Sequence, residues 1–200
     1  MLRKRIIFVL IYADGYFYQS RNFRLQRVGD LKWLETNYNF PETAKSIDEL
    51  IVLNASRDCK DITLFSEAIS AIVKNIFIPI AAGGGINSML DAKKLLESGA
   101  DKIVLNSAIF HHSNCVHEIA NLFGSQCIIA SIDYKTHHDQ LTVFSNNGSI
   151  PEHSLEKHLQ HTNKLPIGEI LLNSMDRDGT GFGFDIDTVN LLDQKNTHSR

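Results

Sequence analysis

Short, nearly unbroken apolar runs alternate along the chain with amphipathic stretches of helical period. The runs at 5–12, 48–54, 77–82, 102–106, 127–133 and 169–174 are strand-sized and read as strands. The stretches at 61–73, 89–98, 116–123 and 155–162 read as the helices between them. In "DAKKLLESGADKIVLNS" a helix stops at Gly99 and a strand follows at once. Strand–helix–strand units whose strands are apolar on both faces predict a parallel sheet covered by helices. "LTVFSNNGSI" breaks the pattern. Its Asn147-Gly148 pair is a hairpin signal, which predicts a small β-excursion after the fifth strand. The aromatics of "NYNFPETAKSIDEL" read as core.

The pattern repeats itself. "ELIVLNASRD" at 49–58 resembles "EILLNSMDRD" at 169–178, an offset of 120 (169 − 49). "IIFVLIY" at 6–12 resembles "IIASIDY" at 128–134, an offset of 122 (128 − 6). Strands one and two thus resemble strands five and six, as a duplicated four-strand half-barrel would leave them. The predicted fold is an α/β, (β/α)8 TIM-type barrel cut short after its sixth βα unit. Residues 1–200 would form one incomplete barrel domain, since a full barrel runs to about 250 residues. After the sixth strand only one helical pattern, "IDTVNLLD", and a polar tail remain.

Composition narrows the function classes. The chain has 200 residues, 43% hydrophobic and 22% charged, which suits a globular domain with a substantial core. A net charge of −3 gives no field for nucleic acid or an anionic membrane, and neither is expected as a partner. The apolar runs are too short for a transmembrane helix. "MLRKRIIFVLIYADG" has basic residues before an apolar stretch, but the stretch is short and ends in Asp-Gly. It reads as a buried first strand rather than a leader. Cys59, Cys115 and Cys127 are odd in number and not spaced for metal, so a cytoplasmic location is expected.

"IPIAAGGGINS" carries the strongest local chemistry. Gly83, Gly84 and Gly85 let backbone N–H groups approach a phosphate at a helix start; the alternative is a tight strand-to-helix turn. Asn106 and Ser107 end the next strand and either complete that cup or cap the following helix. "NSMDRDGTGFGFD" places Asp176, Asp178 and Gly179 after the sixth strand, on the face where parallel barrels hold their active sites. Asp133 closes an otherwise apolar strand and is a candidate general acid or base. In the matching first strand its position is Ile11.

Arg5, Glu49, Lys102 and Glu169 all sit at the opposite, N-terminal ends of strands. They read as a neutral salt-bridged ring at the barrel floor, or as ordinary flanking charges. "HHSNCVH" offers His111, His112, Cys115 and His117, but no partner at matched spacing, so no metal and no cofactor are expected. His153, His158 and His161 fall on a helix that reads as solvated.

Taken together, "MLRKRII", "VGD", "IDELIVLN", "AAGGGI", "GADKIVLNSA", "FGSQCIIASID" and "GEILLNSMDRDGT" resemble the cyclase subunit of imidazole glycerol phosphate synthase, a histidine-pathway barrel family. The resemblance implies a lyase/cyclase that takes ammonia from a glutaminase partner in a heterodimer. It implies a phosphorylated substrate, a phosphoribulosyl aminoimidazole-carboxamide. Two aspartates ending strands one and five are the family's acid and base. Asp133 matches the second and Ile11 replaces the first, with Asp14 three residues on. Gln19 stands at a family lysine and Asn54 at a family aspartate. Gly84, Gly85, Asn106, Ser107, Asp178 and Gly179 match substrate- and phosphate-binding positions. Arg5, Glu49, Lys102 and Glu169 match the ammonia gate, and Asp101 the partner interface. "FRLQRVGDLKWLE" and "VLIYADG" look more like a divergent branch from surface-polysaccharide gene clusters, in which a sugar amidotransferase is a further partner. Three functions follow as alternatives: the divergent ammonia-channelling subunit, the conventional histidine-pathway cyclase, and a non-catalytic scaffold.

Overall fold

A computed structural model describes residues 4–57 and 60–190. The elements run β1 (Ile7–Ala13), β2 (Tyr16–Arg21), β3 (Arg24–Gly29), α1 (Leu31–Tyr38), α2 (Phe40–Thr43), β4 (Glu49–Asn54), α3 (Ile62–Val73), β5 (Ile80–Gly83), α4 (Met89–Glu97) and β6 (Lys102–Leu105). They continue with α5 (Ser107–His111), α6 (Ser113–Phe123), β7 (Ile128–His137), β8 (Gln140–Ser145), β9 (Ile150–Ser154), α7 (Leu155–Thr162) and β10 (Glu169–Ser174). Among the described residues the strands make one ten-stranded sheet. Its centre is the parallel set β1-β4-β5-β6-β7-β10, the six apolar runs of the sequence in order. This is the sheet-and-helix pattern of a (β/α)8 barrel.

Alternation along the strands sorts two cores. Leu10, Tyr12, Leu50, Val52 and Ile103 face the helices and pack with Phe65, Ile69 and Leu95. Ile51, Ala81, Val104 and Ile129 face the barrel interior, with Leu53 and Leu171 against them. Full burial of an aliphatic or aromatic side chain of this size contributes roughly 1.5–3 kcal/mol, so the helix-facing layer carries most of the stability. Helix starts are fixed locally. Asp61 caps α3 through Thr63 and Leu64, and Ser88 and Asp91 form a capping box on α4.

Two antiparallel hairpins extend the barrel mouth. β8–β9 grows from β7, as the Asn147-Gly148 signal predicts, through a turn at 146–149. β2–β3 grows from β1 and has no counterpart in the sequence reading. It turns at Asp14–Gly15 and again at Asn22–Phe23, all with positive φ as tight twisted hairpins require. The two halves therefore match beyond the strands. α1 and α7 have equal length at an offset of 124 (155 − 31). Asp30 caps α1 on Trp33 N, and Ser154 caps α7 on Lys157 N.

Some boundaries move. The third parallel strand starts only at Ile80, since Phe77 is 96% exposed. β7 runs four residues past Asp133 because its end becomes a hairpin arm rather than a loop. His158, read as lying on a solvated helix, is fully buried. Cys115 and Cys127 are buried free thiols, while Cys59 and the end of the 186–193 helical pattern lie outside the described residues. No helix among the described residues is long and apolar enough to cross a membrane.

Candidate active site at the barrel mouth

The C-terminal ends of the parallel strands enclose a cavity of about 430 Å³. Gly84, Gly85, Asn106, Ser107, Asp133 and Asp178 line it, so most of the sequence-predicted mouth residues converge on one space. Glycine is required at the turn after β5. Gly84 and Gly85 have φ of +101° and +83°. A Cβ on Gly84 would strike the carbonyl of Asn54, and one on Gly85 would lie 2.6 Å from Lys60 Cβ. Asn106 stands at the N-terminus of α5, with Ser107 its first residue. Bare backbone and two short polar side chains thus face the cavity together.

Asp133 is held from both sides. Asn106 Nδ2 donates to its Oδ2 at 3.1 Å and Asn173 Nδ2 to its Oδ1 at 3.0 Å. Burial pushes its pKa up to about 6; the Asn173 hydrogen bond and the Lys60 charge pull it down without overcoming burial. A carboxyl poised near neutrality and facing a cavity can give or take a proton. Sequence reading singled out neither Asn173 nor Lys60. Asn173 carries a signal, a polar residue ending an apolar strand, whereas Lys60 sits in a loop without any pattern.

In the other half the equivalent place is apolar. Ile11 pairs in register with Leu53, as Asp133 pairs with Asn173, and both aliphatic side chains line the cavity. Asp14 does not fill the gap. It occupies the β1–β2 turn, is exposed, and is absent from the cavity wall, as is Gln19 in β2. Asp178 faces the cavity but is also the anchor of the first hairpin. Its carboxylate accepts from Ser20 Oγ and, at 3.0 Å, from Phe23 N. Gly179 lies behind, where a Cβ would strike the Ser20 carbonyl, and does not line the cavity. Asp176 accepts from Thr136 N at 2.9 Å and supports the β7 extension.

The opposite face holds the four charges of the floor. Arg5 bridges Glu49 at 3.0 Å and Glu169 at 3.0 Å; Lys102 bridges the same two at 3.0 and 2.8 Å. The four form a closed alternating ring beneath the apolar barrel interior. Burial works to lower the Lys102 pKa and raise that of Glu169, yet their mutual hydrogen bonds win and hold both in their charged forms. Asp101 lies on this face, accepting from Ile80 N at 2.8 Å. The histidine cluster splits between α5 and α6, and His111 Nε2 faces Glu152 at 3.4 Å.

A parallel α/β sheet of βα units with a cavity lined by glycines and a buried carboxyl at its mouth defines the class: a (β/α)8-barrel protein with the two-halved design of its strands. The family described as histidine biosynthesis protein matches residues 34–199. The chain is 48% identical over 191 residues to a protein of Parasynechococcus marenigrum named "Putative imidazole glycerol phosphate synthase subunit hisF2", covering 95% of this chain and 71% of that one. A protein of the same name from Campylobacter jejuni is 33% identical, covering 98% and 77%. The "Imidazole glycerol phosphate synthase subunit HisF" of Natranaerobius thermophilus is 35% identical, covering 95% and 75%. The chain belongs to the histidine biosynthesis protein family and is HisF-like.

Proposed function

We propose that this chain is a cytoplasmic, ammonia-using cyclase-type subunit that works with a glutaminase partner on a phosphorylated substrate. We further propose that it has diverged from histidine synthesis towards supplying the amidination of a surface sugar. The observation that carries the first part is the closed Arg5–Glu49–Lys102–Glu169 ring beneath the apolar interior. Neutral ammonia passes an apolar core that ammonium does not, because burying an unpaired charge is costly. In this reading the partner docks on the floor near Asp101, and ammonia released there crosses to the mouth. The substrate phosphate rests on Gly84, Gly85, Asn106 and Ser107, and Asp133 acts as the proton-transfer group.

The divergence is supported by the mouth itself. Ile11 and Leu53 cannot move a proton or hold a hydroxyl, so a two-carboxylate mechanism has lost one half of its pair. The test is a purified assay with ammonia and the phosphoribulosyl aminoimidazole-carboxamide. Little or no imidazole glycerol phosphate is expected, since a general acid–base group typically contributes about 10²–10⁴-fold. Turnover equal to that of a HisF relative would return the chain to the conventional histidine-pathway role.

A further inference from the structure

The mouth contains a cation that has no part in the chemistry proposed so far. Lys60 follows β4 and directly precedes Asp61, the residue that caps α3, so its backbone is anchored. Its aliphatic stem crosses the glycine turn: a Cβ on Gly85 would lie 2.6 Å from Lys60 Cβ and 3.0 Å from its Cδ. Its ammonium lines the cavity and donates to Asn147 Oδ1 at 3.0 Å. Asn147 belongs to the β8–β9 turn, which reaches back over the mouth to the carbonyls of Ala55 and Ser56.

Lys60 is half-buried, yet among the described residues no carboxylate lies within ion-pair distance of it, whereas the half-buried Lys102 bridges two. An ammonium also carries three donors, and one is accounted for by Asn147. Among the described residues the other basic side chains on the cavity wall are Arg57, which is exposed, and His111, which faces Glu152. Burial lowers the Lys60 pKa and the Asp133 charge raises it, so the charge is held at a cost that an anion in the cavity would relieve.

We propose that Lys60 is the cationic arm of the mouth's anion site, reaching across Gly85 to hold a phosphate group seated on Gly84, Gly85, Asn106 and Ser107. This rests on the reading of the mouth as a phosphate site and adds the residue that supplies its charge. Backbone amides fix where the anion sits. Lys60 makes the site prefer a dianion to a neutral group, and its bond to Asn147 keeps the ammonium at the cavity wall while the site is empty.

The test is a titration of the purified chain with inorganic phosphate, followed by amide NMR at neutral pH. In the unmodified chain the amides of Gly84, Gly85, Asn106 and Ser107 should shift together. Lys60→Met and Lys60→Gln should weaken binding by roughly tenfold to a hundredfold, the size of a lost charge-assisted hydrogen bond. Lys60→Arg should retain most of it. Because a variant can disturb the loop, a second readout uses the unmodified protein alone: the Lys60 ammonium titration should move upward when phosphate is bound. If the four amides shift but neither the variants nor that titration changes, the assignment of Lys60 is overturned and the phosphate reading survives. If saturating phosphate shifts none of the four amides, both fall.

Discussion

The barrel's two halves keep the same frame and differ at the positions that meet the cavity. At the floor, Glu49 and Glu169 occupy equivalent strand starts and share the same two cations. At the mouth, Ile11 and Leu53 face Asp133 and Asn173. In the helical layer, Leu34 of α1 and His158 of α7 occupy the same buried position, an offset of 124 (158 − 34). The first half thus carries two aliphatics where the second carries a carboxylate and the amide that supports it. A lone Asp at position 11 beside Leu53 would be desolvated with no donor in that register, which is the costly arrangement. Two aliphatics avoid it, and the cavity wall carries one such Asp–Asn pair instead of two.

The largest expected effect is in the polar half. Asp133→Asn should lower any ammonia-dependent turnover by about 10²–10⁴-fold. An unchanged rate would remove Asp133 from the chemistry. The next variant repairs the other half. Ile11→Asp with Leu53→Asn recreates the Asp133–Asn173 pair and should raise imidazole glycerol phosphate formation at least roughly tenfold, a small part of what an acid–base group can supply. Ile11→Asp alone should instead lower the melting temperature, by an amount equivalent to about 1–3 kcal/mol, because its carboxylate lacks the amide partner. Equal stability of the single and double variants would show that the two positions are not coupled.

Which of these features could be read from the sequence follows from where their causes lie. The six parallel strands were legible because each is a continuous apolar run bounded by turn residues. Asp133 and the glycine cup were legible because they sit where a strand pattern stops. The β2–β3 hairpin was not, and Phe23 shows why. Its φ of +61° is unfavourable for a bulky residue, so the turn carries no local signal. It is held by Asp178, 155 residues away, through its backbone N–H. Burial of His158 was hidden for a similar reason. "LEKHLQHT" looks solvated, and only stacking on Phe110, with ring centroids 4.3 Å apart, reveals its inward face. Lys60 gains meaning only once Gly85 and Asn147 come against it.

The helical layer offers a pH contrast. Among the described residues His158 has no hydrogen-bond partner on either ring nitrogen, and burial, aided by the nearby His161 and His153, depresses its pKa to about 4. The unfolded chain takes up this proton near pH 6.5, so stability is full above that pH. It falls as the pH drops from 6.5 towards 4, by about 3 kcal/mol in all. Asp133 has the opposite sign. Its folded pKa of about 6 exceeds the unfolded value, so the folded state takes the proton first and gains stability as the pH falls from 6 towards 4. The two partly offset in the native chain. His158→Leu, which installs the residue of the matching half, should stabilise the protein at pH 7 and remove the His158 part of the slope. Asp133→Asn should remove the opposing Asp133 part. Parallel pH–stability curves for the two variants would show that neither group governs acid sensitivity.

The smallest effect separates two residues that the repeat makes equivalent. Glu49 and Glu169 each bind Arg5 and Lys102, but the Glu49 side chain is 2% exposed and that of Glu169 32%. Glu49→Gln therefore removes a charge from a buried position and leaves two cations to share one carboxylate. It should cost about 1.5–3 kcal/mol, the range for a hydrogen bond to a charged group. Glu169→Gln acts on a pair that water screens and should cost less than about 1 kcal/mol. Denaturant unfolding in low and high salt measures both. Salt should shrink the Glu169 effect and spare most of the Glu49 effect, because a buried pair is screened less. Equal costs with equal salt dependence would mean that the floor is symmetric in energy as well as in sequence. The divergence of the halves would then be confined to the mouth and to the buried position shared by Leu34 and His158.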